Sequence, residues 1–197
     1  MSGDWRCFRQ VSPEFPPLFH SAGALAPDQE SGRWHRRGEG FAQYFSLTAM
    51  GSWAEYARHA NIRTPELARE QRRNLWLAFV RETKIADLSG FNQFAACGLD
   101  PAMAVDADRE PCRLLADELC EAGFRGLLAP SAALPDTVNL TVFGERYERT
   151  QVDPVDNWSS PDPDVWIACE LLAESAPVPA RISARTVFPG DLHPGLI

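Results

Sequence analysis

Four separated points in the chain carry side chains suited to joint chemistry. They are Arg6 near the start, Arg33 within Gly32-Arg33-Trp34, Tyr44 and Ser46 followed by Glu55, and Ser131 within Pro130-Ser131-Ala132. Asn139 follows the last of these. Arginine presents a planar fork that grips phosphate or carboxylate oxygens in pairs. A carboxylate stabilises positive charge that develops during a reaction, and an aromatic ring offers its π-face to a cation. Each residue also has a plainer reading. A lone arginine or glutamate is usually a solvated side chain. Tyr44 and Trp34 suit a core, Ser131 suits a turn cap, and Asn139 suits a strand end. His59, one helical turn after Glu55, reads as a surface histidine before a base partner of that carboxylate. Arg36-Arg37 reads as a solvent-facing pair that can help capture an anion. A nucleophilic Ser131 has little to support it, because no GxSxG surrounds it and no histidine is placed near it in a recognisable pattern.

These residues need elements to position them. Trp5 to Val11 reads as an opening strand, ended by the turn-rich SPEFPP, and residues 20–40 read as a long loop. Phe41 to Leu47 reads as a strand and Thr48 to Asn61 as a helix with Trp53, Tyr56 and Ala60 on one stripe. Thr64-Pro65-Glu66 is a helix start, with a capping hydroxyl, a proline in the first turn and a carboxylate at the positive end of the dipole. That helix is expected to run to about Arg73. Leu75 to Val80 reads as a buried strand, and Lys84 to Leu88 continues toward another. Pro111 to Ala122 reads as a helix with Leu114, Leu115, Leu119 and Ala122 facing the core and Gly123 as its stop. Phe124 to Ala129 and Val138 to Phe143 read as strands around a loop at Pro130 to Asp136. Residues 150–164 read as a loop or linker. Val165 to Ala173 fits strand or helix, and Val178 to Phe188 fits a half-exposed strand.

Composition narrows the classes. The chain has 197 residues, 45% of them hydrophobic and 23% charged, enough for one ordinary domain with its own core. Acidic residues outnumber basic ones 27 to 19, for a formal charge of -8, which argues against a nucleic-acid footprint along the whole chain. All but one of the basic residues are arginine, Lys84 being the exception. No stretch reads as a signal peptide or approaches the roughly 18 apolar residues of a membrane span. The five cysteines are scattered with no CxxC pair, so buried free thiols in a cytoplasmic protein are expected rather than zinc, and no metal site is expected. Neither GxGxxG nor GxxxxGK[ST] is present, which removes the two common nucleotide-binding loops.

In order and spacing, the motifs resemble the RES domain, a family named for its Arg, Glu and Ser residues. The corresponding pieces are WRCFR (5–9), GRWH (32–35), Gly38, YFS (44–46), WAEY (53–56), LADELCEAGFRGLLAPSA (115–132) and NLTVF (139–143). The resemblance covers roughly residues 5–148. His35 stands where the family usually has asparagine, and Arg36-Arg37 replace small or proline residues.

The resemblance implies a mixed α/β (α+β) fold like that of ADP-ribosyltransferases, with a central, largely antiparallel, split β-sheet flanked by helices. Residues 1–150 would form the NAD-binding catalytic domain, and 151–197 a C-terminal extension packed on it. The implied activity consumes NAD+ as substrate by breaking the nicotinamide–ribose bond, with water, phosphate or a protein as acceptor of ADP-ribose. The implied catalytic residues are Arg33 and Glu55, with Arg6, Tyr44, Ser46, Ser131 and Asn139 binding NAD+. In that reading Arg33 and Arg6 hold the pyrophosphate, Tyr44 faces the nicotinamide, and Glu55 stabilises the oxocarbenium-like ribose. Family membership also implies the toxin of a bacterial type II toxin–antitoxin pair. Its expected partner is an antitoxin bearing a helix-turn-helix domain, with a homodimer open and neither direct nucleic-acid nor membrane binding expected. The competing reading is a non-catalytic nucleotide- or protein-binding module on the same fold.

Overall fold

The computed structural model describes residues 3–18, 29–39, 41–82, 84–144 and 166–196. Among them the expected 150–164 linker and part of the 20–40 loop are not included. Seven strands form one sheet in the order β4-β5-β6-β2-β1-β3-β7. Their ranges are β1 Gly3–Val11, β2 Phe41–Ser46, β3 Arg72–Glu82, β4 Ile85–Asp87, β5 Gly126–Pro130, β6 Val138–Gly144 and β7 Trp166–Pro177. Every pairing is antiparallel except β4 with β5. A parallel pair needs a crossover, supplied here by helices α3 (Phe91–Ala96) and α4 (Glu110–Glu121). Helices α1 (Ala49–His59) and α2 (Pro65–Glu70) join β2 to β3.

The two halves of the sheet meet at a narrow seam. Nine residue pairs join β1 to β3, but β1 and β2 are joined only by Phe8 opposite Ser46 among the described residues. The expected split therefore takes the form of one continuous sheet with a weak centre. Beyond Phe8 the Arg9 side chain spans the gap, donating from Nη1 to the Tyr44 carbonyl (3.1 Å) and to Gln43 Oε1 (2.8 Å).

Three apolar clusters fix the layers. One follows the sheet through Cys7, Phe45, Val80, Leu140 and Ile167. A second packs α3 and α4 against β5 through Phe94, Cys112, Ala116 and Leu127, and it takes in Trp34. The third holds α1 and α2 together through Trp53, Ala57 and Ala68 with Leu134, Val178 and Ile182.

Capping places α1. The Thr48 hydroxyl accepts the Gly51 N–H at 2.9 Å, which satisfies one of the orphan donors of the first turn. Gly51 is needed there, because a Cβ on it would lie 2.1 Å from Ser46 Oγ.

Several expectations are corrected. The second helix stops at Glu70, since Gln71 is already extended and Arg72 and Arg73 open β3. On α4 the buried residues are Cys112 and Ala116, whereas Leu114 is 54% exposed and Ala122 is exposed. The small Cys112 and Ala116 join Leu127 in the second cluster, and the partly buried Leu115 and Leu119 pack against it. Gly123 does stop the helix, at φ +81°. Val178 to Phe188 is not a strand. It contains a short 3-10 turn at Ala180–Ile182, and Val178, Ile182, Val187 and Phe188 are all buried. Val178 and Ile182 pack into the third cluster without ladder pairing, so the apolar spacing is irregular. Val165 to Ala173 is resolved in favour of strand over its described part, as β7. Helix α3 and the 3-10 turn Pro101–Ala104 were not anticipated.

Candidate active site

A cavity of about 790 Å³ opens at the seam. Its walls are the end of β1 from Phe8 to Val11, Tyr44 to Ser46 of β2, the outer face of α1 and the loop around Gly32 to His35. Asn139 and Thr141 of β6 line it as well.

The central acid is Glu55, half-buried on α1. Its Oε1 accepts the Ser131 hydroxyl at 2.7 Å and the Asn139 side-chain amide at 2.6 Å. Both bonds fall on one oxygen, and among the described residues no hydrogen bond is made to Oε2. Ser131 is itself held, with its Oγ accepting the Ala133 and Leu134 N–H groups, each at 3.1 Å. Its own N–H donates to the Thr137 carbonyl at 2.9 Å. The turn after β5 thus aims one hydroxyl at one carboxylate oxygen. The Asn139 Oδ1 is buried with no hydrogen-bond partner among the described residues.

The loop 29–39 forms the opposite side. Tyr44 organises it: its hydroxyl accepts the Trp34 N–H at 3.0 Å and shares a 2.8 Å hydrogen bond with His35 Nδ1. Burial pushes the Tyr44 phenol above its ordinary range, so it stays neutral and holds these bonds. Burial also pushes the His35 imidazole down, keeping it uncharged. Gly32 is required by closeness, because a Cβ there would sit 2.3 Å from the Tyr44 hydroxyl. From outside, α4 anchors the loop. Arg113 Nε donates to the Gly32 carbonyl at 3.0 Å, and Arg36 pairs with Glu110 at 2.5 Å and with Asp117. Arg36 is therefore a structural tie, and Arg37 pairs at the surface with Glu30 at 3.1 Å.

Arg33 reaches inward from this loop, donating to the Met103 carbonyl at 3.2 Å. It also lies 3.9 Å from the buried Cys112 sulfur. Burial raises the Cys112 thiol, and the Arg33 charge opposes that rise.

Of the expected site residues, Arg33, Tyr44, Ser46, Glu55 and Asn139 line one cavity. Ser131 does not line it; it sits behind Glu55, 1% exposed, with its hydroxyl bonded to the carboxylate. Arg6 is not brought to the cavity. It precedes the seam residue Phe8, is exposed, and lies 5.8 Å from the Phe79 ring on β3. Arg9 lines the cavity in its place, and burial lowers its guanidinium to about 10. Arg58, Arg73 and Arg109 also line it and were not singled out. Arg58 was legible, since a residue three after Glu55 on a helix shares its face. Arg73 was hidden because its role depends on strand pairing; it packs 4.4 Å from the Tyr56 ring and donates to Gln10 at 2.5 Å. The lining holds five arginines against two carboxylates, Glu30 and Glu55, so an acidic chain carries a basic cleft. Such a cleft concentrates anions in a low-dielectric setting. Among the described residues there is no cluster of metal-ligating side chains.

Comparison with known proteins gives this geometry relatives. The fold is similar to a crystal structure of the Mycobacterium tuberculosis MbcT–MbcA toxin–antitoxin complex, with a TM-score of 0.64 over 94% of this chain and 90% of that one. At 20% identity the likeness is one of fold. A probable NAD(+) phosphorylase of Mycobacterium tuberculosis is 31% identical over 128 residues, which is 64% of this chain and 61% of that protein. The matched region thus spans about three-fifths of the relative's length. The family model described as RES domain matches residues 4–166, which take in the strand seam, the arginine loop, Glu55 and the turn that orients it, and the chain belongs to the RES domain family.

Proposed function

We propose that the protein is an NAD+-cleaving enzyme that breaks the nicotinamide–ribose bond. The observation that carries this reading is the Glu55 carboxylate, oriented on one oxygen by Ser131 and Asn139 at the wall of an arginine-lined cleft. As the bond to nicotinamide breaks, positive charge develops on the ribose carbon and its ring oxygen. A preoriented carboxylate stabilises that charge without having to reorganise. With Oε1 occupied by its two donors, Oε2 is the oxygen that meets the ribose. Arg33 grips the pyrophosphate, and Arg9 and Arg109 add positive potential along the cleft. Tyr44 shapes the floor, and Ser46 and Asn139 hydrogen-bond the substrate. Nicotinamide leaves with the bonding electron pair, and an acceptor oxygen then bonds to the ribose carbon. The name of the phosphorylase relative favours inorganic phosphate as that acceptor.

The wider role we propose is that of a toxin acting in the cytoplasm of a bacterium and silenced by a cognate antitoxin that carries a helix-turn-helix domain. The fold likeness to one member of a toxin–antitoxin complex supports the pairing. Among the described residues no helix is long and apolar enough to cross a membrane. The direct test is to incubate the purified protein with NAD+, with and without phosphate, and to follow nicotinamide release and the mass of the ADP-ribose product. Phosphate-dependent release of nicotinamide is expected. NAD+ binding without turnover would instead identify a binding module on this fold.

A further inference from the structure

Beyond the family match at residue 166, the segment from Val187 to Gly195 crosses both elements that carry the Glu55–Ser131 pair. The Val187 N–H donates to the Ala133 carbonyl at 2.8 Å, two residues past Ser131. The Val187 carbonyl accepts from Arg58 Nη1 at 2.6 Å, three residues past Glu55. Phe188 lies 4.2 Å beneath the Arg63 guanidinium, and Pro189 reaches the cavity wall. The segment then turns inward at His193, which is 5% exposed and packed edge-on against Phe91.

The surroundings of His193 select one tautomer. Its Nδ1 lies 3.1 Å from the Gly195 backbone nitrogen, and its Nε2 lies 3.1 Å from the Ser131 carbonyl oxygen. A backbone N–H only donates and a carbonyl only accepts. The proton is therefore on Nε2 and is donated to Ser131. Ser131 is thus held from two sides, by its hydroxyl bond to Glu55 and by its carbonyl bond from His193. The charged groups on neighbouring elements that act on the ring are Arg58 on α1 and Asp136 in the turn after β5. Asp191, on its own segment, accepts the Phe188 N–H at 2.9 Å.

We infer that His193 is a positioning residue for the cleavage reaction: by fixing the Ser131 carbonyl it sets the hydroxyl that orients Glu55. This rests on the reading of Glu55 as the carboxylate that meets the ribose. The test compares His193→Gln and His193→Leu in the full chain. Glutamine keeps an N–H donor for the Ser131 carbonyl, whereas leucine fills similar volume without one. For His193→Leu, kcat for nicotinamide release should fall about 10-fold or more with KM for NAD+ within about twofold, the signature of a loss confined to the transition state. His193→Gln should stay within about threefold of wild type, because the donated bond is retained. Hydrogen exchange supplies a readout independent of turnover. The Ala133 and Leu134 amides, which donate to Ser131 Oγ, should exchange faster in His193→Leu and near the wild-type rate in His193→Gln. Equal losses in the two variants, or unchanged kcat and exchange in His193→Leu, would overturn the inference. If wild type releases no nicotinamide, the NAD+ reading fails and the exchange pattern alone decides whether His193 holds the turn. Should His193→Leu not fold, His193→Met, which likewise has no N–H donor, takes its place with the same comparison.

Discussion

Both hydrogen bonds to Glu55 converge on Oε1, so the two donors have different remaining duties and their removal should have different costs. Glu55→Gln keeps an acceptor oxygen for Ser131 and Asn139 but removes the charge. Nicotinamide release should fall about 10²–10³-fold in kcat with little change in KM, the scale seen when one preorganised electrostatic group is lost. Ser131→Ala leaves the charge in place but frees the carboxylate to rotate. It also strips the acceptor from the Ala133 and Leu134 N–H groups. That variant should lose activity and also about 1–3 kcal/mol of stability, the cost of leaving buried donors unsatisfied. Parallel assays and urea melts would separate the two, since Glu55→Gln should melt close to wild type. Residue types made Glu55, Arg33, Tyr44 and Asn139 legible in the sequence. Arg9 rather than Arg6 lines the cleft because of where β1 meets β2, and single-strand spacing does not contain that point.

The elements were legible wherever a local signal exists. Thr64 caps its helix as expected, accepting an N–H at 3.3 Å, and Gly123 ends α4 in the left-handed region, whereas Thr48, expected inside the first helix, is its cap at 2.9 Å. The failures lie where tertiary packing overrides local pattern. The second helix yields to β3 two residues before Arg72, and in the 178–188 segment Val178 and Ile182 go to the third cluster instead of a ladder. Close contact between elements gives a test at this scale. Gly51→Ala would drive a Cβ to 2.1 Å from Ser46 Oγ, so α1 must lift from β2 or Ser46 must rotate. A loss of about 1–3 kcal/mol is expected, the usual cost of overpacking, read as a lower denaturant midpoint. Thr48→Ala, which removes only the cap, should cost about 1 kcal/mol. A Gly51→Ala protein with unchanged midpoint would show that the helix–strand contact is looser than the distances state.

For the molecule as a whole, burial makes two predictions. Cys97 and Cys120 are exposed while Cys7, Cys112 and Cys169 are buried. Titration with a thiol reagent should therefore label two cysteines quickly and three only on unfolding, and more than two fast reactions would contradict the packing. The second concerns acid. Burial lowers the folded-state values of His35 and His193. The unfolded chain then binds more protons between those lowered values and the ordinary histidine value of about 6.5. Their contribution to stability is complete above that ordinary value and is lost as pH falls through the lowered ones. Urea midpoints should drop from pH 7.5 to pH 5, and the combined His35→Asn, His193→Gln variant should flatten that slope. The sequence by itself pointed to the family, the mixed α/β class, the Thr64 cap, the Gly123 stop and several of the side chains that line the cleft, because these follow from residue type and short-range spacing. Only the tertiary structure decided which arginines share a cleft, that Ser131 sits behind Glu55, and that His193 bonds the Ser131 carbonyl. Those facts depend on contacts between residues 62 to 84 positions apart, which no local pattern encodes. The net charge of -8 likewise hid a basic cleft, since a sum over the chain carries no information about where the five lining arginines meet.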